Sequence, residues 1–83
     1  MLKENVKAKV IVIDFENKKG WKIYHNEDLY GNTEIKDSRF WNDFQNGYYR
    51  FVKGTTLVAD IDCPWKIEEP LKILKVHEVI YGD

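Results

Sequence analysis

The sequence predicts a mainly β protein of five strands and one short helix, in which the strands close into a small barrel. Apolar and polar residues alternate most clearly between Thr56 and Cys63, which is the pattern of a strand with one buried face. Residues 37–47 have the spacing of an amphipathic helix, because Phe40 and Phe44 stand four apart. A helix this short is unstable by itself in water, so we expect it to pack on the sheet and close one end of the barrel.

The first strand begins at Val6, after residues 1–5, which we expect to fray. Its apolar residues occupy one face at first, and from Ile11 onwards they occupy both faces. Two explanations remain open. Either the strand bends around a bulge and belongs to two sheets, or Ile11 and Ile13 lie beneath a loop or the helix.

Turn signals divide the rest of the chain into further strands. Gly20 ends the first turn, because glycine adopts a positive φ without steric cost. The predicted elements are a turn at 17–20, a strand at 21–24, a turn at 26–28, a third strand within 29–36 that Gly31 could interrupt, a fourth strand at 56–63 and a fifth at 71–81. In the fifth strand, Leu74, Val76 and Ile80 are expected on one face and Lys75 and His77 on the other.

Capping residues mark both ends of the predicted helix. Asp37 or Ser38 can accept hydrogen bonds from its first free amides, and Asn46-Gly47 supplies a left-handed stop. Trp41 widens the face that carries the two phenylalanines. The helix is therefore expected to act as a bulky apolar plug.

The composition indicates one small domain. The chain has 83 residues and 43% hydrophobic content, which is enough for one compact core. Its net charge of −1 excludes a protein that coats duplex nucleic acid through charge alone. Cys63 is the only cysteine, so no internal disulfide can form and we expect a reducing cytoplasm. The first residues lack the apolar core of a signal peptide, and no apolar run approaches the ~20 residues that span a bilayer.

Three strands, a helix and two further strands form the element order of the five-stranded OB barrel, which the span from Val6 to Tyr81 resembles. Within that span, residues 14–23 are similar to the first two strands of the cold-shock family, and residues 51–61 to its entry into strand four. The matching positions are Phe15, Asn17, Lys19, Gly20 and Trp21, whereas Lys22 and Ile23 stand where the family has a second glycine and a second aromatic residue. The resemblance implies an OB-like barrel that stacks rings on single-stranded bases. An SH3-like barrel with the same strand count is the alternative fold.

Trp21 has two conceivable orientations. If Trp21 and Ile23 faced solvent, Lys22 and Tyr24 would face the core, and a buried lysine without a partner is costly. The burial cost favours Trp21 inside the barrel, whereas the family resemblance favours Trp21 as an exposed stacking ring.

The surplus of rings and the scattered lysines support a first hypothesis, the binding of single-stranded nucleic acid, with RNA favoured over DNA. Rings stack on bases and lysines contact phosphates. The candidate residues are Lys18, Lys19, Trp21, Lys22, Tyr24, Tyr30, Lys36 and Trp65. Two simpler explanations remain: the lysines form a solvated face that protects edge strands, and Trp65 folds back as a lid over the barrel end.

The second hypothesis is a protein-interaction module, or a small accessory or inhibitor protein such as mobile elements encode. Ile11, Ile13 and Phe15 would supply an exposed apolar patch of the kind that marks partner surfaces. Lysines arranged around exposed rings would favour nucleic acid, and an unbroken aliphatic strip would favour a protein partner.

The sequence shows no arrangement of residues typical of catalysis, and it predicts neither a metal site nor a cofactor. His25 and His77 are too few for a zinc shell, and Cys63 has no adjacent base. We therefore expect a non-catalytic binding protein without a membrane partner, and we make no prediction of its oligomeric state.

Overall fold

Five strands and one helix account for most of the chain. The computed structural model describes residues 1–52 and 54–81. The elements are β1 (Leu2–Val12), β2 (Trp21–His25), β3 (Asp28–Ile35), α1 (Ser38–Gln45), β4 (Thr56–Asp62) and β5 (Leu71–Ile80). The strands form a closed barrel in the order β1-β2-β3-β5-β4, with α1 between β3 and β4 in the chain. The predicted fold class, a mainly β OB-like barrel with one short helix, is confirmed.

Strand β1 pairs with two neighbouring strands, each along a different part of its length. It pairs antiparallel with β4 up to Lys9, and from Lys9 onwards it pairs antiparallel with β2. Shifts in register between Lys3 and Val6 and between Val10 and Val12 mark where the strand bends. The strand therefore bends at bulges and pairs with two neighbours, as the first explanation has it, but its far end is not buried on both faces, because Ile11 is 50% exposed and only Ile13 packs against the core.

The first five residues do not fray, contrary to the prediction. Strand β1 begins at Leu2, which pairs with Asp62 of β4, and the amide of Cys63 donates to the Met1 carbonyl over 2.8 Å. Asn5 has a φ of 52° in the first bulge, and its amide donates to Asp60 Oδ1 over 2.9 Å. These residues are ordered because they pair with a strand more than fifty positions away in the chain. The local sequence pattern does not indicate this pairing.

The barrel interior is built from the inward faces of all five strands. In β2, Trp21, Ile23 and His25 point inwards while Lys22 and Tyr24 point outwards, so the orientation favoured by burial cost is the one observed. In β4 the predicted inner face, positions 57, 59, 61 and 63, is buried. The other buried apolar residues of the strands are Ala8, Val10, Tyr30, Ile35, Leu71 and Ile73.

Helix α1 closes one end of the barrel, as predicted. Phe40 and Phe44 are buried, and the Phe44 ring lies 5.2 Å from the ring of Trp21. Asp37 is the N-cap: one of its oxygens accepts from the Phe40 amide over 3.0 Å, and the other accepts from the Val76 amide over 2.8 Å. This one carboxylate therefore starts the helix and also attaches it to β5.

The predicted faces of β5 are wrong in part. Leu71 and Ile73 are buried, whereas Leu74 is exposed, and Val76 and Val79 pack against the core. The pairing of β4 with β5 shifts register twice, between Val58 and Ala59 and between Asp60 and Ile61. Each shift moves the following residues to the opposite face, so simple alternation fails along this strand.

Strand β3 runs through Gly31 without a break. Instead of an interruption, the pairing of β3 with β2 shifts register between Trp21 and Ile23. Thr33 is paired with Trp21 on one side and with Leu71 of β5 on the other. The β1–β2 loop and the β4–β5 loop therefore both enter the sheet beside the same position of β3.

Candidate nucleic-acid interface

Tyr24 is the exposed ring at the centre of the outer β1–β2–β3 face. Its side chain is 43% exposed, since its neighbours on β2 point into the barrel. Lys9 of β1 lies directly opposite Tyr24 on one side, and Leu29 of β3 lies directly opposite on the other. Side chains opposite each other on one face start about 4.5–5.5 Å apart, so these three form one continuous row.

Two further lysines border this row. Lys22 is the next outward residue on β2, and Lys7 is the outward neighbour of Lys9 on β1. Both are exposed, and within the described part of the chain neither they nor Lys9 form an ion pair. We call Lys7, Lys9, Lys22, Tyr24 and Leu29 the Tyr24 platform.

A second group of lysines continues past the end of β2. The carbonyl of Lys18 accepts from the Ile35 amide over 2.7 Å, which places the β1–β2 loop against the end of β3. Lys36 forms an ion pair with Glu34 at 2.9 Å, and this hydrogen bond, with the nearby charges of Lys36, Lys19 and Lys72, holds the pKa of Glu34 below its usual value. The predicted Lys18, Lys19 and Lys36 therefore lie together, but a carboxylate neutralises part of their charge.

Trp21 and Tyr30 cannot stack on a ligand, and their prediction as binding residues is wrong. Trp21 is 0% exposed and Tyr30 is 9% exposed. Tyr30 pairs with Ile23, and both point inwards, so Leu29 takes the outward position that had been expected for Tyr30. Burial raises the pKa of Tyr30, and the neighbouring Cys63 side chain adds to this rise.

The Trp65 side chain is exposed to solvent and does not fold back over the barrel end as a lid. It lies in the β4–β5 loop, residues 63–70, and is 86% exposed, with the exposed Ile67 close by in sequence. The Glu69 amide donates to the Lys66 carbonyl over 3.0 Å, forming a turn within this loop. The loop enters β5 on the side of β3 that faces away from β2, so Trp65 is separate from the Tyr24 platform.

The predicted apolar patch on β1 and the following loop is partly present. Ile11 is 50% exposed and Phe15 is 63% exposed, and Val12 between them is exposed as well. Ile13 is half-buried and packs against the core, so it offers less surface to a partner than Ile11 or Phe15, and its role at an interface stays a prediction. One face of the Phe15 ring stacks on Phe44 with the ring centres 5.4 Å apart, which fixes the ring at the surface.

The sequence reasoning missed a groove of about 710 Å³ between α1 and β5. Arg39 and Lys75 supply positive charge there, and Tyr48 and Tyr49 supply rings. Burial raises the pKa of Tyr49, and the nearby Asp43 carboxylate raises it further. The Tyr-Tyr-Arg string after the helix was the available signal, but its position beside β5 depends on tertiary packing.

The two histidines serve separate structural roles. His25 Nδ1 donates to the Lys7 carbonyl over 2.9 Å inside the barrel, and His77 Nε2 donates to Asp60 Oδ1 over 2.9 Å on the outer surface. Among residues 1–52 and 54–81, no three His, Cys, Asp or Glu side chains are grouped as metal ligands would be. Within the same residues, no helix combines the length and apolar character that a bilayer crossing needs.

The fold and this surface define a small OB-like barrel with an exposed ring on its outer sheet face, among lysines that form no ion pair with any residue the structure describes. Comparison with protein-family models, curated proteins and solved structures finds no match to the chain. The resemblance to the cold-shock family therefore has no support beyond the residues that suggested it.

Proposed function

We propose that this protein binds single-stranded nucleic acid, RNA in preference to DNA, on the Tyr24 platform. The observation that carries the proposal is the exposed Tyr24 ring, with Lys9 opposite it on β1 and Lys22 two positions before it on β2, neither of which forms an ion pair within the described residues. OB-like barrels use the outer face of strands two and three, with the adjoining loops, to hold oligonucleotides. The proposed role is binding without catalysis, in a reducing cytoplasm.

The chemistry of the platform suits one base and its flanking phosphates. A base stacked on Tyr24 gains roughly 1–3 kcal/mol, and Leu29 extends the apolar surface beneath it. Lys9, opposite the ring on β1, and Lys22, next to it along β2, are placed to contact the phosphates that flank that base. One stacked base with a few phosphate contacts corresponds to a dissociation constant of about 10–100 µM at low salt.

A ring substitution tests the proposal directly. We expect Tyr24→Ala to weaken the binding of a fluorescent ten-nucleotide RNA by about tenfold, because the stacked base loses its ring. Tyr48→Ala is the matched control, since Tyr48 is 74% exposed but lies in the α1–β5 groove. Fluorescence anisotropy at low salt measures both affinities. Equal losses in the two variants, or no binding by the natural protein at about 100 µM, would contradict the proposal.

The salt dependence gives an independent readout of the lysines. Each phosphate contact with a single strand contributes about −0.7 to the slope of log K against log salt concentration. Lys9→Gln should make that slope shallower by about this amount, because one contact is lost. Lys66→Gln, in the β4–β5 loop away from the platform, should leave the slope unchanged.

Partner binding through the exposed Ile11, Val12 and Phe15 is the second candidate function. The specific observation that favours it is the run of exposed apolar side chains, in which the Phe15 ring is held in place by Phe44. Sedimentation of the natural protein and of Phe15→Ser tests whether this patch associates. A strict monomer at high concentration would remove self-association as its role.

A further inference from the structure

Strand β3 has an edge that the barrel does not fully cover. Strands β3 and β5 pair only over residues 33–35, although β3 begins at Asp28. Asp28, Leu29 and Tyr30 pair with β2 on one side, and no described backbone group bonds to them on the other, although the Tyr30 carbonyl accepts from the Thr33 hydroxyl over 3.2 Å. Gly31 is exposed, and because glycine has no side chain, the exposed surface is main chain.

The β4–β5 loop lies beside this open edge. At one end of the loop, Cys63 lies beside the Tyr30 side chain, and at the other end Leu71 pairs with Thr33. The loop thus spans the stretch of β3 that precedes β5 without pairing to it. It carries the exposed Trp65, a large apolar surface that does not belong to the Tyr24 platform.

The charge around the edge is negative on balance, although the Met1 ammonium and Lys72 line the same cleft as Trp65 and Glu69. The turn that leads into β3 carries Glu27 and Asp28, and the β4–β5 loop carries Glu68 and Glu69. All four side chains are exposed, and none forms an ion pair within the described residues. Lys66 is the only basic residue of the loop. Phosphates would be repelled here, whereas a positively charged ligand would be attracted.

We propose that an extended, basic segment of a protein partner adds to β3 as an extra strand over residues 28–31. Its main chain pairs with the backbone groups of the edge other than the Tyr30 carbonyl, which Thr33 occupies, as in strand addition to other exposed sheet edges. Its lysines or arginines face Glu27, Asp28, Glu68 and Glu69, and one of its side chains packs on Trp65. The interface uses the main chain of the β3 edge, whereas the Tyr24 platform uses the Leu29 side chain on the outer face, so this proposal does not rest on nucleic-acid binding.

A synthetic peptide of alternating lysine and valine, about eight residues long, is the probe for this interface. Amide NMR spectra of the natural protein should shift at residues 28–31 and 64–69, and hydrogen exchange of the edge amides should slow on binding. A peptide of the same sequence with alternate backbone nitrogens methylated is the matched control, since it keeps the charge but cannot pair along one edge. We expect it to bind about tenfold more weakly or worse.

Charge reversal on the protein completes the test. The double variant Glu68→Lys and Glu69→Lys should weaken the peptide by about tenfold and leave RNA binding on the platform unchanged. Trp65→Ala should weaken the peptide without disturbing the fold, because this ring is in solvent. Equal binding of the methylated peptide, no shifts at millimolar peptide, or shifts caused at residues 64–69 by RNA instead of peptide would each overturn the proposal.

Discussion

Trp21 and Trp65 differ completely in their exposure to solvent within this barrel. Trp21 is fully buried, and its indole Nε1 donates to the Asn17 carbonyl over 3.0 Å, while Trp65 stands in solvent. We expect Trp21→Ala to lower the free energy of unfolding by about 3–5 kcal/mol, and Trp65→Ala to change it by no more than about 0.5 kcal/mol.

Urea denaturation followed by circular dichroism measures this difference. Because Trp21→Ala removes most of the stability expected of so small a domain, Trp21→Phe is the milder variant, and it should still lower the midpoint clearly. Similar midpoints for the Trp21 and Trp65 variants would contradict the assignment of Trp21 to the core.

The orientation of Tyr24 was predictable from the sequence, and that of Tyr30 was not. On β2, one alternating pattern decides the face of every residue, because the opposite choice would bury Lys22. On β3, the face of Tyr30 depends on the register shift against β2, which results from pairing between two strands. The error placed Tyr30 in the binding surface and left out Leu29 and Lys9.

At the scale of elements, Asp37 accepts one hydrogen bond from the first turn of α1 and one from β5, and so attaches the helix to the barrel. We expect Asp37→Ala to lower the free energy of unfolding by about 1–3 kcal/mol, since it leaves the amides of Phe40 and Val76 without their acceptor. Asp37→Asn keeps one acceptor oxygen, so its free energy of unfolding should lie between those of Asp37→Ala and the natural protein. Ser38→Ala is the control and should be close to neutral, because the Ser38 side chain is exposed. Thermal unfolding of the three variants checks this order, and an equal cost at Ser38 would contradict the assigned cap.

Elements with local signals were predicted well. The alternation of β4 and the phenylalanine pair of α1 are properties of neighbouring residues, so their buried faces follow from the sequence. Residues 1–5 and the faces of β5 depend on partners distant in the chain and on bulges in β4–β5 pairing. The open edge of β3 has the same origin, because it reflects where β5 begins relative to β3.

At the scale of the whole molecule, three carboxylates make the free energy of unfolding depend on pH in the acid range. Hydrogen bonds hold the pKa of Asp14, Glu34 and Asp60 below the ordinary values. The donors are the Glu16 amide and the Asn17 side chain for Asp14, Lys36 for Glu34, and the Asn5 amide and His77 for Asp60. A lowered pKa in the folded state adds stability above the unfolded-state pKa of about 4, and this stability is lost as the pH falls through the lower folded values.

The urea midpoint should therefore fall between about pH 5 and pH 2, within the range where these carboxylates become protonated. Asp60→Asn removes one titrating group and should flatten the curve, whereas Glu16→Gln, at a side chain that accepts none of these bonds, should leave it unchanged. A midpoint that rises on acidification would contradict the assigned direction of the shifts.

Although the net charge is −1, the molecule has two surfaces of opposite sign. One carries the lysines of the Tyr24 platform, and the other carries the carboxylates beside the open edge of β3. This separation leads us to assign the nucleic acid to the first surface and a basic peptide to the second. The two ligands should bind one molecule of the protein at the same time, because β3 lies between the two surfaces.

The most direct test of the central claim is an amide NMR titration of the natural protein with a ten-nucleotide single-stranded RNA at low salt. We expect the largest shifts on Lys9, Lys22, Tyr24 and Leu29, and we expect added salt to reverse them. Shifts confined to the α1–β5 groove, or an unchanged spectrum at millimolar RNA, would contradict the claim.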